Sequence, residues 1–200
     1  MASQTPPAAV PPPPSHLHGH ELVLGGQRSG KSRRAEALAA EWLARSPAHE
    51  ALLVATAAAG DEEMRDRIER HRADRRARLP RLACVEATED LAGVLRRHAA
   101  PHRLVIVDCL TLWLTRCMLP HDAPPREADE DIAALLEAVL AAPGPLVLVS
   151  NEIGLGVIPM AVEARRFVDE LGRLHQALAA RCARVTLMVA GLPLSVKDGH

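Results

Sequence analysis

The segment Gly25-Gly26-Gln27-Arg28-Ser29-Gly30-Lys31-Ser32 fits the pattern G-x-x-x-x-G-K-[ST] and constrains the fold more than any other part of the chain. A strand candidate precedes it at 21–24 and an alanine-rich, helix-forming stretch follows it at 31–45. Strand, glycine loop and helix in that order make a phosphate cradle. Gly25 and Gly30 let the backbone turn so that successive N–H groups face one anion, and the positive end of the following helix reinforces them. Lys31 adds a point charge for the β- and γ-phosphates, and the Ser32 hydroxyl can ligate Mg²⁺.

From residue 21 onward, short apolar runs alternate with helix-length segments. Strands are expected at 21–24, 51–56, 82–86, 104–108, 146–150 and 185–190, and several are nearly continuous in Val, Leu and Ile, as strands buried on both faces are. Helices are expected near 31–45, 61–78, 88–99, 127–141 and 160–182; in the last, Phe167, Leu171, Leu174, Leu178 and Cys182 fall on one face. This alternation predicts an α/β fold of three layers, a mostly parallel sheet with helices on both sides. Ligands of such sheets bind at the carboxyl ends of the strands. Asp108 closes one such strand, where a Mg²⁺–nucleotide site needs an acid, although an Asp there can also cap the next helix.

Between Arg65 and Arg81 stand eight arginines and three acids, with His71 in their midst. The segment reads either as a solvated basic helix face or as an anion site. In the second case the guanidinium groups disfavour imidazolium and leave a neutral nitrogen able to attack phosphorus. Ser150-Asn151-Glu152-x-Gly154-x-Gly156-x-x-Pro159 follows a buried strand and reads as a binding loop on the ligand edge, or as a turn whose Asn and Glu cap the next helix. Gly191-Leu192-Pro193 reads as a chain reversal and little more.

Composition narrows the function classes. A formal net charge of −1 gives no general attraction to nucleic acid, and an aromatic share of 2% provides no stacking platform for single strands. No apolar run approaches the roughly 20 residues of a membrane span. The four cysteines form no CxxC pair and read as reduced packing residues in a cytoplasmic protein. Residues 1–20 hold six of the 16 prolines and read as a disordered leader before one domain at 21–200.

Taken together, the motifs resemble the bifunctional adenosylcobinamide kinase / adenosylcobinamide-phosphate guanylyltransferase family of cobalamin biosynthesis. The resemblance is carried by residues 25–32 with Ala35-Glu36, Ala55-Thr56, Asp61-Glu62-Glu63-Met64, Arg67-Ile68-x-x-His71-Arg72, Val107-Asp108-Cys109-Leu110-Thr111, the 150–159 segment, Arg165-Arg166-Phe167, Gly172-Arg173-Leu174 and Ala190-Gly191-Leu192-Pro193-Leu194. It implies a RecA-like P-loop NTPase fold, usually trimeric, that phosphorylates adenosylcobinamide with ATP or GTP. It further implies transfer of GMP from GTP to the product through a guanylyl-histidine, with His71 as the nucleophile. By the same resemblance, Gly25, Gly26, Gln27, Arg28, Ser29, Gly30, Lys31 and Ser32 hold the triphosphate. Thr56, Ala57, Ala58, Arg72, Ala73, Asp74, Arg75, Glu86 and Asp108 lie near the nucleotide, and Ser32 and Asp108 are the metal ligands. Arg76, Arg116 and His175 stand where the family commonly has Pro, Asn and Asn. Two other readings stay open on the residues alone: a small-molecule kinase with no covalent step, and a RecA-like NTPase that binds nucleic acid or a partner through 65–81.

Overall fold

The computed structural model describes residues 19–57, 75, 77–87, 90–120, 124 and 127–199. Residues 1–18 of the leader, most of the arginine-rich segment, His71, Arg72, Ala73, Asp74 and Ala58 lie outside the described residues. Among the described residues, seven strands form one sheet: β1 (Glu21–Gly25), β2 (Glu50–Ala55), β3 (Leu82–Glu86), β4 (Arg103–Asp108), β5 (Leu146–Val149), β6 (Arg184–Val189) and β7 (Leu192–Lys197). Their order across the sheet is β3-β2-β4-β5-β1-β6-β7. All neighbouring pairs are parallel except β6 and β7.

Period-two alternation divides the sheet between two apolar layers. Val23, Ala51, Leu53, Leu104, Ile106, Val147 and Val149 face α1 (Lys31–Arg45), which buries Ala35, Leu38, Ala39, Trp42 and Leu43 against them. Leu22, Leu52, Val54, Val105, Val107, Leu146 and Leu148 face the other way, under α2 (Leu91–His98), α3 (Leu110–Met118), α4 (Asp129–Ala141) and α5 (Val162–Arg181). Consecutive residues such as Val105, Ile106 and Val107 therefore serve opposite layers, which is why these strands are apolar without a break.

Two elements depart from the sequence reading. The α3 helix is absent from it, because Thr111, Trp113 and Thr115 favour strands locally. The helical spacing is nevertheless present, since the buried residues Leu110, Trp113, Leu114, Cys117 and Met118 recur every three or four positions. Beyond the reversal at Gly191 the chain forms another strand, β7, which runs antiparallel to β6 at the sheet edge. Pro193 argues against an interior strand and is compatible with an edge. Cys109, Cys117 and Cys182 are buried, as expected, and none is in a disulfide, whereas Cys84 on β3 is exposed and is not a packing residue.

Candidate active site

The carboxyl ends of the central strands bring most of the predicted residues to one edge. Along the strand order lie Glu86 (β3), Thr56 after β2, Asp108 (β4), Ser150 after β5 and Gly25 (β1), with Glu86 and Asp108 both in register with Ala55. Because β5 lies between β1 and β4, the Ser150 segment stands between the phosphate loop and Asp108.

The loop has the backbone its glycines predict. Gly25 has φ 151°, and a Cβ there would lie 2.5 Å from Ser29 Oγ and 2.6 Å from Met188 O. Gly30 adopts φ 101° at the start of α1 and offers no side-chain cap, which leaves the first amides of the helix for a ligand. Lys31 is 8% exposed and donates from Nζ to Gly26 O at 2.8 Å, folding back across the loop. Burial pushes its ammonium below the usual lysine range, and the charge of Asp108 opposes that shift. The Ser29 hydroxyl oxygen is buried with no hydrogen-bond partner among the described residues, an unmet polar atom inside the cradle. Gln27 and Arg28 are exposed on the loop.

Ser32 Oγ donates to Asp108 Oδ2 at 2.9 Å and thus joins the first turn of α1 to the end of β4. Asp108 does not cap the helix that follows: Cys109 holds the N-cap position of α3, without a side-chain bond. Beside it, buried Thr56 accepts from the Cys109 amide at 2.8 Å and donates to the Cys109 carbonyl at 2.7 Å. Ala57 continues from Thr56 half-buried, and Glu86 is exposed. A hydroxyl and a carboxylate at hydrogen-bond distance are a donor set suited to a hard divalent cation completed by water and phosphate oxygens.

Arg75 and Arg78 reach Glu36 on α1, with nitrogen–oxygen distances of 3.4 and 3.0 Å. Glu36 lies one turn beyond Ser32, so this end of the arginine-rich segment is tied to the phosphate-loop helix. The 150–156 segment is a docked loop and not a helix cap, since α5 begins only at Val162 and Ala161 supplies no side-chain cap. The Glu152 amide donates to Gly25 O at 3.0 Å and the Asn151 amide to Thr111 Oγ1 at 2.8 Å. The sequence reading marks Thr111 as a family match and His175 as a departure, and assigns neither to the site. His175 is separated from Ser150 by 25 residues in sequence, yet its Nε2 lies 2.8 Å from Ser150 Oγ.

The family model described as cobinamide kinase / cobinamide phosphate guanyltransferase matches residues 21–196. The chain belongs to this family. It is therefore a nucleotide-using transferase of cobalamin biosynthesis, a cobinamide kinase and cobinamide phosphate guanylyltransferase. Similar proteins include the bifunctional adenosylcobalamin biosynthesis protein CobP of Pseudomonas aeruginosa, 52% identical over 178 residues that cover 88% of this chain and 96% of that one. CobU of Escherichia coli and CobU of Salmonella typhimurium, each also named a bifunctional adenosylcobalamin biosynthesis protein, are 35% and 34% identical, each match covering 88% of this chain and 98% of the relative. Among solved structures, the flagellar accessory protein FlaH of Methanocaldococcus jannaschii shares the fold, with a TM-score of 0.50 and 12% identity over 90% of this chain and 79% of that one. The α/β, RecA-like phosphate-loop architecture expected from the sequence is the one observed.

Proposed function

We propose that one nucleotide site, at the carboxyl edge between β1 and β4, serves both activities of this family member. The observation that supports this reading is the bond between Ser32 and Asp108, which gives the phosphate loop its acidic partner. In the kinase step, the backbone amides of 25–32 and the first turn of α1 grip the β- and γ-phosphates. Lys31 leaves Gly26 O and pairs with the transferring phosphoryl group. The hydroxyl oxygen of adenosylcobinamide attacks the γ-phosphorus, the bond to the β-phosphate oxygen breaks, and the hydroxyl proton is released. Ser32 and Asp108 would hold Mg²⁺, which supplies charge neutralisation of the phosphates when bound.

In the second step, the His71 nitrogen attacks the α-phosphorus of GTP and pyrophosphate leaves. The phosphate oxygen of adenosylcobinamide phosphate then attacks the same phosphorus, the N–P bond breaks and the GDP derivative forms. Arg72 and Arg75 offset the negative charge that develops, and Glu86, Thr56, Ala57, Ala58, Ala73 and Asp74 complete the surroundings of the nucleotide. His71 must be neutral to attack, which the neighbouring guanidinium groups favour.

The protein works as a homotrimer in the cytoplasm. Exposed Leu155, Val157, Ile158 and Met160, together with Leu192, Leu194 and Val196 on β7, supply apolar surface for contact between copies. No described helix is long and apolar enough to cross a membrane. Mass analysis of products from adenosylcobinamide with ATP and GTP tests the reading. Phosphate and GDP derivatives are expected in sequence, and the phosphate alone would reduce the protein to a kinase without a covalent step.

A further inference from the structure

At the end of β5 lies a group of polar side chains that neither step above uses. Ser150 is fully buried, with its hydroxyl 2.8 Å from His175 Nε2 and 3.1 Å from Thr111 Oγ1. Thr111 Oγ1 also accepts from the Asn151 amide at 2.8 Å. The other ring nitrogen of His175, Nδ1, faces Glu152 Oε2 at 3.7 Å, and Glu152 Oε1 accepts from the Gly154 amide at 2.6 Å. Main-chain bonds fix the same segment to the phosphate-loop strand, from the Ser150 amide to Val23 O and from the Glu152 amide to Gly25 O, both 3.0 Å. Through two side chains, His175 on α5 therefore holds a segment that touches Gly25 on one flank and, through Thr111, the helix after Asp108 on the other.

A neutral ring fits the network. The Thr111 hydroxyl accepts from Asn151 and can donate to Ser150, whose hydroxyl can donate to His175 Nε2 while Nδ1–H faces the Glu152 carboxylate. In that arrangement every hydrogen of the group faces an acceptor. Burial favours the same neutral ring, with Glu152 opposing it. Buried hydrogen bonds of this kind favour one arrangement of the loop.

We propose that His175 is a positioning residue for phosphoryl transfer, holding Ser150 and Glu152 so that the 150–154 loop stays locked between the phosphate loop and the end of β4. The inference rests on the reading of 25–32 as the nucleotide site. Loss of the lock leaves the phosphate-gripping amides and Lys31 in place but loosens the far wall of the site. The defect therefore falls on turnover and not on nucleotide affinity.

The test is steady-state kinase kinetics of the intact protein with adenosylcobinamide and ATP. His175→Leu is expected to lower kcat by roughly 10- to 100-fold, the scale of a misplacement of about 1 Å, while the KM for ATP stays within about threefold. His175→Gln, whose terminal amide takes the place of Nε2, is expected to recover most of the rate. Ser150→Ala cuts the same bond from the other end, and its effect is expected not to add to that of His175→Leu. Wild-type kcat in folded His175→Leu, a Gln variant no better than Leu, or additive losses would each overturn the proposal. If His175→Leu fails to fold, wild-type kcat in Ser150→Ala overturns it alone. Lys31→Ala, run in parallel, addresses the other premise: full activity there would sink the nucleotide-site reading itself.

Discussion

The Ser32 hydroxyl donates to the Asp108 carboxylate at 2.9 Å across 76 residues of sequence, bridging the start of α1 and the end of β4 over the intervening strand β5. The bond holds together the two residues that would hold Mg²⁺ in the proposed kinase step. Ser32→Ala and Asp108→Asn are each expected to lower kinase turnover on the order of 10²-fold, with little change in melting temperature, because the pair is solvent-accessible. Rates measured across a Mg²⁺ titration check this, and wild-type saturation behaviour in both variants would refute it.

Gly25→Ala should weaken the fold as well as the site. The new Cβ would meet Ser29 Oγ at 2.5 Å and Met188 O at 2.6 Å, at φ 151°. Backbone strain and overpacking each cost about 1–3 kcal/mol. A drop in melting temperature of roughly 5–15 °C is expected in thermal unfolding, accompanied by weaker ATP binding.

Thr56→Val keeps the shape of the side chain and removes its hydroxyl. The Cys109 amide, which donates to Thr56 Oγ1 at 2.8 Å, then has no acceptor in a buried place. The expected loss is about 1–3 kcal/mol, readable in denaturant unfolding, with a lower kcat because Asp108 is the preceding residue.

Stability should fall on the acid side. Burial lowers the ring pKa of both His175 and His20 from the ordinary 6.5. Between that value and the lower folded-state values the unfolded chain binds more protons, so stability decreases as pH drops through about 6.5 and levels off once the folded rings also protonate. Thermal melts from about pH 8 to about pH 5 are expected to show this loss, reduced in His175→Gln.

Much of this architecture was legible in the chain itself. Unbroken apolar runs such as 104–107 told of strands covered on both faces, and the glycines at 25 and 30 of a backbone that other residues adopt poorly. What escaped was set by context. α3 hides behind strand-favouring Thr111 and Trp113, and β7 exists because an edge tolerates Pro193. His175 looks like any residue of an amphipathic helix until folding brings it to Ser150, because no local pattern records a contact between distant segments.

The central claim is that His71 takes a guanylyl group from GTP held by the phosphate loop. Intact-protein mass analysis with peptide mapping, after incubation with GTP alone, tests it most directly. The account predicts one GMP adduct, stable to base and labile to acid, located on His71 and absent from His71→Ala and Lys31→Ala. An adduct on another residue, or guanylyl transfer at the wild-type rate by His71→Ala, would contradict it.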